Sequence, residues 1–236
     1  MKQRIWELDA FRGICILGMV AVHFIYDLVE LYGIIHWEYP ALFVFVKDWG
    51  GVLFLLLSGI CVTLGSRCVR RGLIVLGGGM LCTIVTAGMV YLDFADSSLT
   101  IWFGILHCLG ICMLLWPVFR KLPVPILGTV GILFVGAGLY LLDSVLVDFP
   151  WLIPLGVLTP DFASSDYFPL LPNLGYFLLG AVLGKTLYRK QTTLFPKVNS
   201  RSFIPAFLCA CGRQSLWIYL LHQPVLSALC MLITLF

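Results

Sequence analysis

Five ionisable residues run through the otherwise apolar stretch DAFRGICILGMVAVHFIYDLVE: Asp9, Arg12, His23, Asp27 and Glu30. At about 100° per residue, with Arg12 as zero, Asp9 and Asp27 fall near 60°, His23 near 20° and Glu30 near 0°. All five share one narrow stripe. A charged group at membrane depth costs at least about 2.5 kcal/mol, so the stripe is expected to face a bundle interior or a water-filled cavity. At about 1.5 Å per residue, His23 lies roughly 16 Å beyond Arg12, and Asp27 about 6 Å further on. An imidazole at mid-depth with a carboxylate one turn away suits proton transfer, either as a general base or as part of a proton or solute path. The residue types alone do not separate the two. Blander roles exist as well: Arg12 as a positive-inside anchor, Asp9 as its local partner or a helix cap, Asp27 and Glu30 as interfacial markers.

Two further histidines lie within apolar runs, His107 in WFGILHCLG and His222 in SLWIYLLHQP. Each suits either a direct chemical role beside His23 or an interhelical hydrogen bond that fixes packing. Ser215, Tyr219 and His222 fall within about 60° on a helix wheel, and Pro224 frees a backbone carbonyl one turn before it. His36 lies between the first two apolar runs, exposed enough to act as a base. Lys47 and Asp48 are adjacent and so poorly placed to pair with each other on a helix; either they sit in an outer turn or Lys47 reaches an acid such as Asp27 or Glu30.

The elements that must position these groups follow from composition. The chain is 61% hydrophobic and only 11% charged, with a mean hydropathy of +1.02, which excludes a soluble globular domain. A spanning helix needs roughly 20 apolar residues. That template fits near residues 10–32, 41–65, 72–92, 99–119, 124–143, 168–188 and 213–236, and predicts an all-α integral membrane protein of about seven transmembrane helices. Of the 15 basic residues, all but Lys47 fall at the amino terminus, in SRCVRR, in FRK, or in KTLYRKQTTLFPKVNSR with Arg213. By the positive-inside rule the amino terminus is cytoplasmic and the carboxyl terminus extracytoplasmic. The first apolar run lacks a small-residue cleavage site and is expected to remain as an anchor.

The expected organisation is one transmembrane domain over residues 1–236. Its irregular part, residues 143–167, holds four Asp and three Pro around an apolar centre and is expected to lie in the outer interface or fold back over a cavity. The nine Cys form no CxxC pair and have no zinc-type spacing with His, so no metal site is expected and the thiols read as packing residues. Glycine-rich runs in the third and fifth spans read as close helix packing. No Walker-type lysine follows them, which argues against nucleotide hydrolysis.

Five ordered blocks carry a resemblance: LDAFRGICILGMVAVHF at 8–24, FLLLSGICVTL at 54–64, WFGILHCLG at 102–110, DYFPLLPNLGYFLLGAVLGKTLYR at 166–189 and CGRQSLWIYLLHQPVL at 211–226. Together they resemble the catalytic-domain family of heparan-alpha-glucosaminide N-acetyltransferase, the lysosomal transmembrane acetyltransferase, and its bacterial relatives. The spacing of Arg12 and His23 also resembles the first-helix motif of bacterial membrane acyltransferases that O-acetylate surface polysaccharides. In the lysosomal member the position of His23 is an Asn and the proposed catalytic His falls later, near His36, which leaves two candidate bases. The chain has fewer spans than that protein and lacks its large lumenal domain, so the sugar acceptor is not carried over.

The resemblance implies transfer of an acetyl group from cytoplasmic acetyl-CoA to an amine or hydroxyl acceptor, a glycan for example, at the outer side of the cell inner membrane. Acetyl transfer from a thioester needs a base, relief of oxyanion charge and an anchor for the phosphates of CoA. On this reading Arg12, Arg67, Arg70, Arg71 and Lys121 hold phosphate, because guanidinium groups donate in pairs and stay charged. His23 or His36 takes the acceptor proton, Asp27 orients the imidazole, and His107 and His222 polarise the thioester carbonyl. Membrane lipid, and a second copy docked through glycine-lined spans, are the other expected partners; nucleic acid is not one. The rival reading is a transporter in which the stripe conducts protons or solute. Transporters often show repeated halves, and no such repeat is seen here.

Overall fold

The computed structural model describes residues 4–200 and 202–235. Lys2 and Arg201, two of the basic residues used for orientation, and Phe236, the end of the last predicted span, lie outside the described residues.

The fold is helical throughout. In chain order the helices are α1 Trp6–Tyr26, extended by a π-helical turn over Asp27–Leu31, then α2 Ala41–Leu64, α3 Cys68–Tyr91, α4 Ile105–Phe119, α5 Val124–Ser144, α6 Leu170–Leu187, α7 Phe203–Arg213 and α8 Ser215–Thr234. Six stretches are long and apolar enough to cross a membrane: Trp6–Leu31, Ala41–Leu64, Cys68–Tyr91, Val124–Ser144, Leu170–Leu187 and Ser215–Thr234. These match six of the seven predicted spans to within a few residues. The seventh, predicted at 99–119, is helical only over the 15 residues of α4, because the chain before it is drawn out. Gly104 is extended (φ −84°, ψ −177°), and Phe103 bridges to Tyr167. Helix α7 lies where a cytoplasmic loop was expected; Gln214, with φ −99° and ψ 13°, breaks it from α8.

The chain divides into two compact units, Met1–Phe54 with Lys190–Phe236, and Leu55–Arg189. In the first, α1 crosses α7 at glycines. A Cβ on Gly13 would overlap the Leu208 carbonyl, and one on Gly212 would overlap the Asp9 carbonyl. The two backbones are therefore in direct contact, the small-residue packing on which membrane helices rely. Cys209 Sγ donates to the Trp6 carbonyl at 3.2 Å. Glu7 accepts from Thr193 Oγ1 at 2.8 Å and from the Leu194 N–H at 2.7 Å, tying the stretch before α7 to the start of α1.

In the second unit α4 is buried on nearly every face, from Ile105 to Met113 and again at Trp116, as an all-round apolar helix should be. Leu55, Phe177, Leu178 and Cys108 are also fully enclosed. Gly72 of α3 meets the Gly110 carbonyl and Met113, while Gly79 meets His107, so α3 and α4 run antiparallel in close contact. Gly131 and Gly138 of α5 pack similarly on α6. Lys185 donates to the carbonyls of Arg120 at 2.8 Å and Leu122 at 2.9 Å, placing a cation at the negative end of α4.

The 143–167 segment folds back on the chain before α4. Its 3-10 turn Pro150–Leu155 ends at Gly156, where φ of +108° favours glycine. Ser164 and Ser165 donate to the Thr100 and Leu99 carbonyls at 2.9 and 2.7 Å. Tyr167 donates to the Ile153 carbonyl at 2.6 Å, and burial pushes its phenol well above the usual range.

Candidate functional site

The first unit gathers three of the expected site residues. The chain that passes Gly13 at Gly212 passes His23 at His222, so α8 runs in the same direction as α1. The two imidazoles meet edge to face, centroids 4.9 Å apart and planes at 75°. Tyr219 flanks His222 at 5.5 Å. The His222 Nδ1 is hydrogen-bonded to the Tyr219 carbonyl. A carbonyl only accepts, so Nδ1 carries the hydrogen, and Nε2 of the neutral ring presents a lone pair. That Nε2 is buried and has no hydrogen-bond partner. Among the described residues neither ring nitrogen of His23 is hydrogen-bonded.

Asp27 is 1% exposed, and its two carboxylate oxygens accept from Gln223 Nε2 at 3.1 and 3.0 Å. Removing a carboxylate from water costs several kcal/mol, and a neutral amide offsets only part of that. Gln223 Oε1 is left buried and unpartnered. His222 Nε2 and Gln223 Oε1 are thus two vacant acceptors on consecutive residues of α8. Such a pair suits a ligand that brings N–H or O–H donors.

The π-helical turn explains why Asp27 turns inward and Glu30 does not. The Tyr32 N–H bonds the Asp27 carbonyl at 2.9 Å, an i→i+5 closure, and π turns frequently mark functional sites. The widened turn takes Glu30 off the stripe. It is exposed and accepts from the Tyr39 hydroxyl at 3.2 Å. The ion pair expected between Lys47 and an acid of this helix is absent: Asp27 is held by Gln223, and Lys47 and Asp48 are exposed on α2 with no ion pair among the described residues.

At the amino-terminal end of the same helix, Arg12 Nη1 lies 3.5 Å from Asp9 Oδ1 and Arg4 Nη1 lies 3.9 Å from Asp9 Oδ2. His36 is exposed in the loop before α2.

His107 belongs to the second unit, where both ring nitrogens are engaged. Nδ1 accepts from the Gly104 N–H at 3.2 Å. Nε2 therefore carries the hydrogen and faces Thr83 Oγ1 at 3.2 Å, while that hydroxyl donates to the Ile101 carbonyl at 2.7 Å. Asp166 Oδ2 accepts from the Ile105 N–H at 3.1 Å, at the start of α4. Arg67, Arg70 and Arg71 stand at the start of α3 and Lys121 just past α4, so they crowd one end of the antiparallel pair, all exposed.

Sequence reasoning missed Gln223, Glu7, Asp166 and Lys185. Gln223 did leave a signal, being an uncharged polar residue at membrane depth beside a histidine. The other three act through backbone groups distant in sequence and left none.

Apolar spans with ionisable groups sequestered between helices define a polytopic membrane protein with an interior chemical site. The family model for heparan-alpha-glucosaminide N-acetyltransferase, catalytic, matches residues 4–224. The chain belongs to that family of membrane acetyltransferases. No curated protein and no solved structure matches it.

Proposed function

We propose that the protein transfers an acetyl group from cytoplasmic acetyl-CoA to an amine or hydroxyl acceptor, of glycan type, at the outer face of a bacterial cytoplasmic membrane. The observation that carries this reading is the His23–His222 pair beside a buried Asp27 held by Gln223. The acceptor gives its proton to an imidazole nitrogen as it attacks the thioester carbonyl. The carbon–sulfur bond then breaks, and the departing thiolate takes the proton. His23 is the base, and His222, its tautomer set by Tyr219, is the group that receives or relays the proton. Asp27 favours the transient imidazolium. His36 is the second candidate base. His107, with both nitrogens engaged, is proposed as a positioning residue for the start of α4.

Acetyl-CoA fits the basic residues at the helix ends. Arg12 in the first unit, and Arg67, Arg70, Arg71 and Lys121 in the second, are separate candidate phosphate anchors. The topology proposed has α4 crossing as well as the six longer helices, giving seven passes with a cytoplasmic amino terminus. Support comes from direction: α8 runs parallel to α1, which an odd total of passes requires and an even one forbids.

The test is transfer from labelled acetyl-CoA in proteoliposomes. His23→Ala is expected to lower kcat by about 10²–10⁴, the usual contribution of a general base. Wild-type rates would remove His23 from the chemistry, and an inactive His36→Ala alone would move the base to His36. A protein that neither transfers acetyl nor gains thermal stability from CoA would instead fit the transporter reading.

A further inference from the structure

The first unit also contains a cleft that none of these roles uses. It measures about 290 Å³ and is lined by Arg4, Trp6 and Asp9 at the start of α1, Cys209 and Arg213 of α7, and Ser200 before it. Its walls are fixed relative to one another. Gly212, next to Arg213, is in backbone contact with Asp9. Cys209 is bonded to Trp6, and Glu7 holds the stretch leading to Ser200.

The charge balance is positive. One carboxylate, Asp9, serves both Arg4 and Arg12. Arg213 is exposed and forms no ion pair among the described residues. The other nearby acid, Glu7, is already bonded to Thr193 and Leu194. Guanidinium groups in this number suit phosphate, which they bind with paired donors. The half-exposed Trp6 adds a ring face on which a base can stack. At about 290 Å³ the cleft is at the small end of ligand pockets, so it suits one end of a long molecule.

We infer that this cleft binds the adenosine 3′,5′-bisphosphate end of CoA, with Arg4 and Arg213 on phosphate and Trp6 on the base. The inference rests on the acetyltransferase reading above and names residues that reading does not use. Distance agrees with it. Asp9 lies about 21 Å from His23 along α1, and the roughly fifteen bonds from the diphosphate to the thiol extend about 18 Å at backbone-like spacing. An anionic lipid headgroup offers the same phosphate chemistry without the base.

The experiment measures competition with labelled CoA on the purified full chain, using adenosine 3′,5′-bisphosphate, pantetheine and phosphatidylglycerol vesicles as separate competitors. The bisphosphate is expected to compete, and Arg213→Gln and Trp6→Leu each to weaken it about tenfold or more. Arg213→Lys and Trp6→Phe are expected to lose less, which separates recognition from misfolding. Unchanged bisphosphate affinity in both Arg213→Gln and Trp6→Leu, with acetyl transfer intact, overturns the cleft assignment and leaves the acetyltransferase reading standing. Competition by phosphatidylglycerol and not by the bisphosphate makes the cleft a lipid site and also overturns it. A wild-type chain that transfers no acetyl from acetyl-CoA removes the reading itself.

Discussion

His222 is bonded through Nδ1 to the carbonyl of Tyr219, one turn back on its own helix, and so turns a bare nitrogen into the interior beside His23. A ring that only filled space would not need its tautomer fixed. His222→Ala is therefore expected to lower kcat by about 10²–10⁴ while KM for acetyl-CoA changes little, measured in proteoliposomes. An unchanged kcat would return His222 to a packing role.

Gln223 supplies the only hydrogen bonds shown to the Asp27 carboxylate. Gln223→Leu strands a buried charge, and the expected loss is about 1–3 kcal/mol or more in stability. Asp27→Leu combined with Gln223→Leu should cost less than the sum of the two single changes, because the second removes what the first left unpaired. Additive losses in thermal or denaturant melts would show that the contact carries no coupling.

Gly212 and Gly77 make a matched pair for testing the crossing. A methyl on Gly212 meets the Asp9 backbone, whereas one on Gly77 has nothing within 4 Å. Gly212→Ala should destabilise by about 1–3 kcal/mol through overpacking. Gly77→Ala should be neutral, or gain up to about 1 kcal/mol from helix propensity. Equal losses at both positions would contradict the contact between α1 and α7.

The network around His107 predicts a stability effect. Thr83→Val and His107→Ala both break the Nε2–Oγ1 link, so each should lower Tm, and the double variant should fall by less than the sum. Activity per folded molecule should survive Thr83→Val. A large fall in kcat at full stability would place His107 in the chemistry.

Asp96 gives a pH dependence with a definite sign. Its carboxylate accepts from the Ser98 N–H at 2.9 Å, and this bond holds its pKa below the usual value. The folded value is the lower one, so the contribution to stability is complete above the unfolded value near 3.9 and disappears as pH falls through the folded value. Hydrogen-exchange protection at Ser98 should decline in acid in the native chain, and Asp96→Asn should remove that decline. Persistence of the decline in Asp96→Asn would assign it to another group.

The spans were legible in the sequence because hydropathy over 20 residues integrates a strong signal. The inward stripe was legible because α-helical geometry carries angles forward residue by residue. Both readings stopped where local geometry changed. The 99–119 window scored as a span although its first residues are extended, since apolar composition does not distinguish helix from strand-like backbone. Glu30 was assigned to the stripe because wheel arithmetic assumes an α turn throughout, and the turn from Asp27 is wider. Of the site, His23, Asp27 and His222 could be named from depth alone. Their mutual contact, and Gln223's hold on Asp27, depend on the register between α1 and α8, which the crossing at Gly13 and Gly212 sets and no single-helix pattern encodes.

The widened turn at Asp27 also makes this part of the chain sensitive to phase rather than to residue identity. A π turn is how an α-helix absorbs one surplus residue. Deleting one residue among Leu28, Val29 and Leu31 would leave length and hydropathy almost unchanged, yet it would rotate everything beyond by about 100°. The aromatic group that now engages Glu30 would lose its register with that acid. Substitutions in this turn should therefore be tolerated far better than a single-codon deletion.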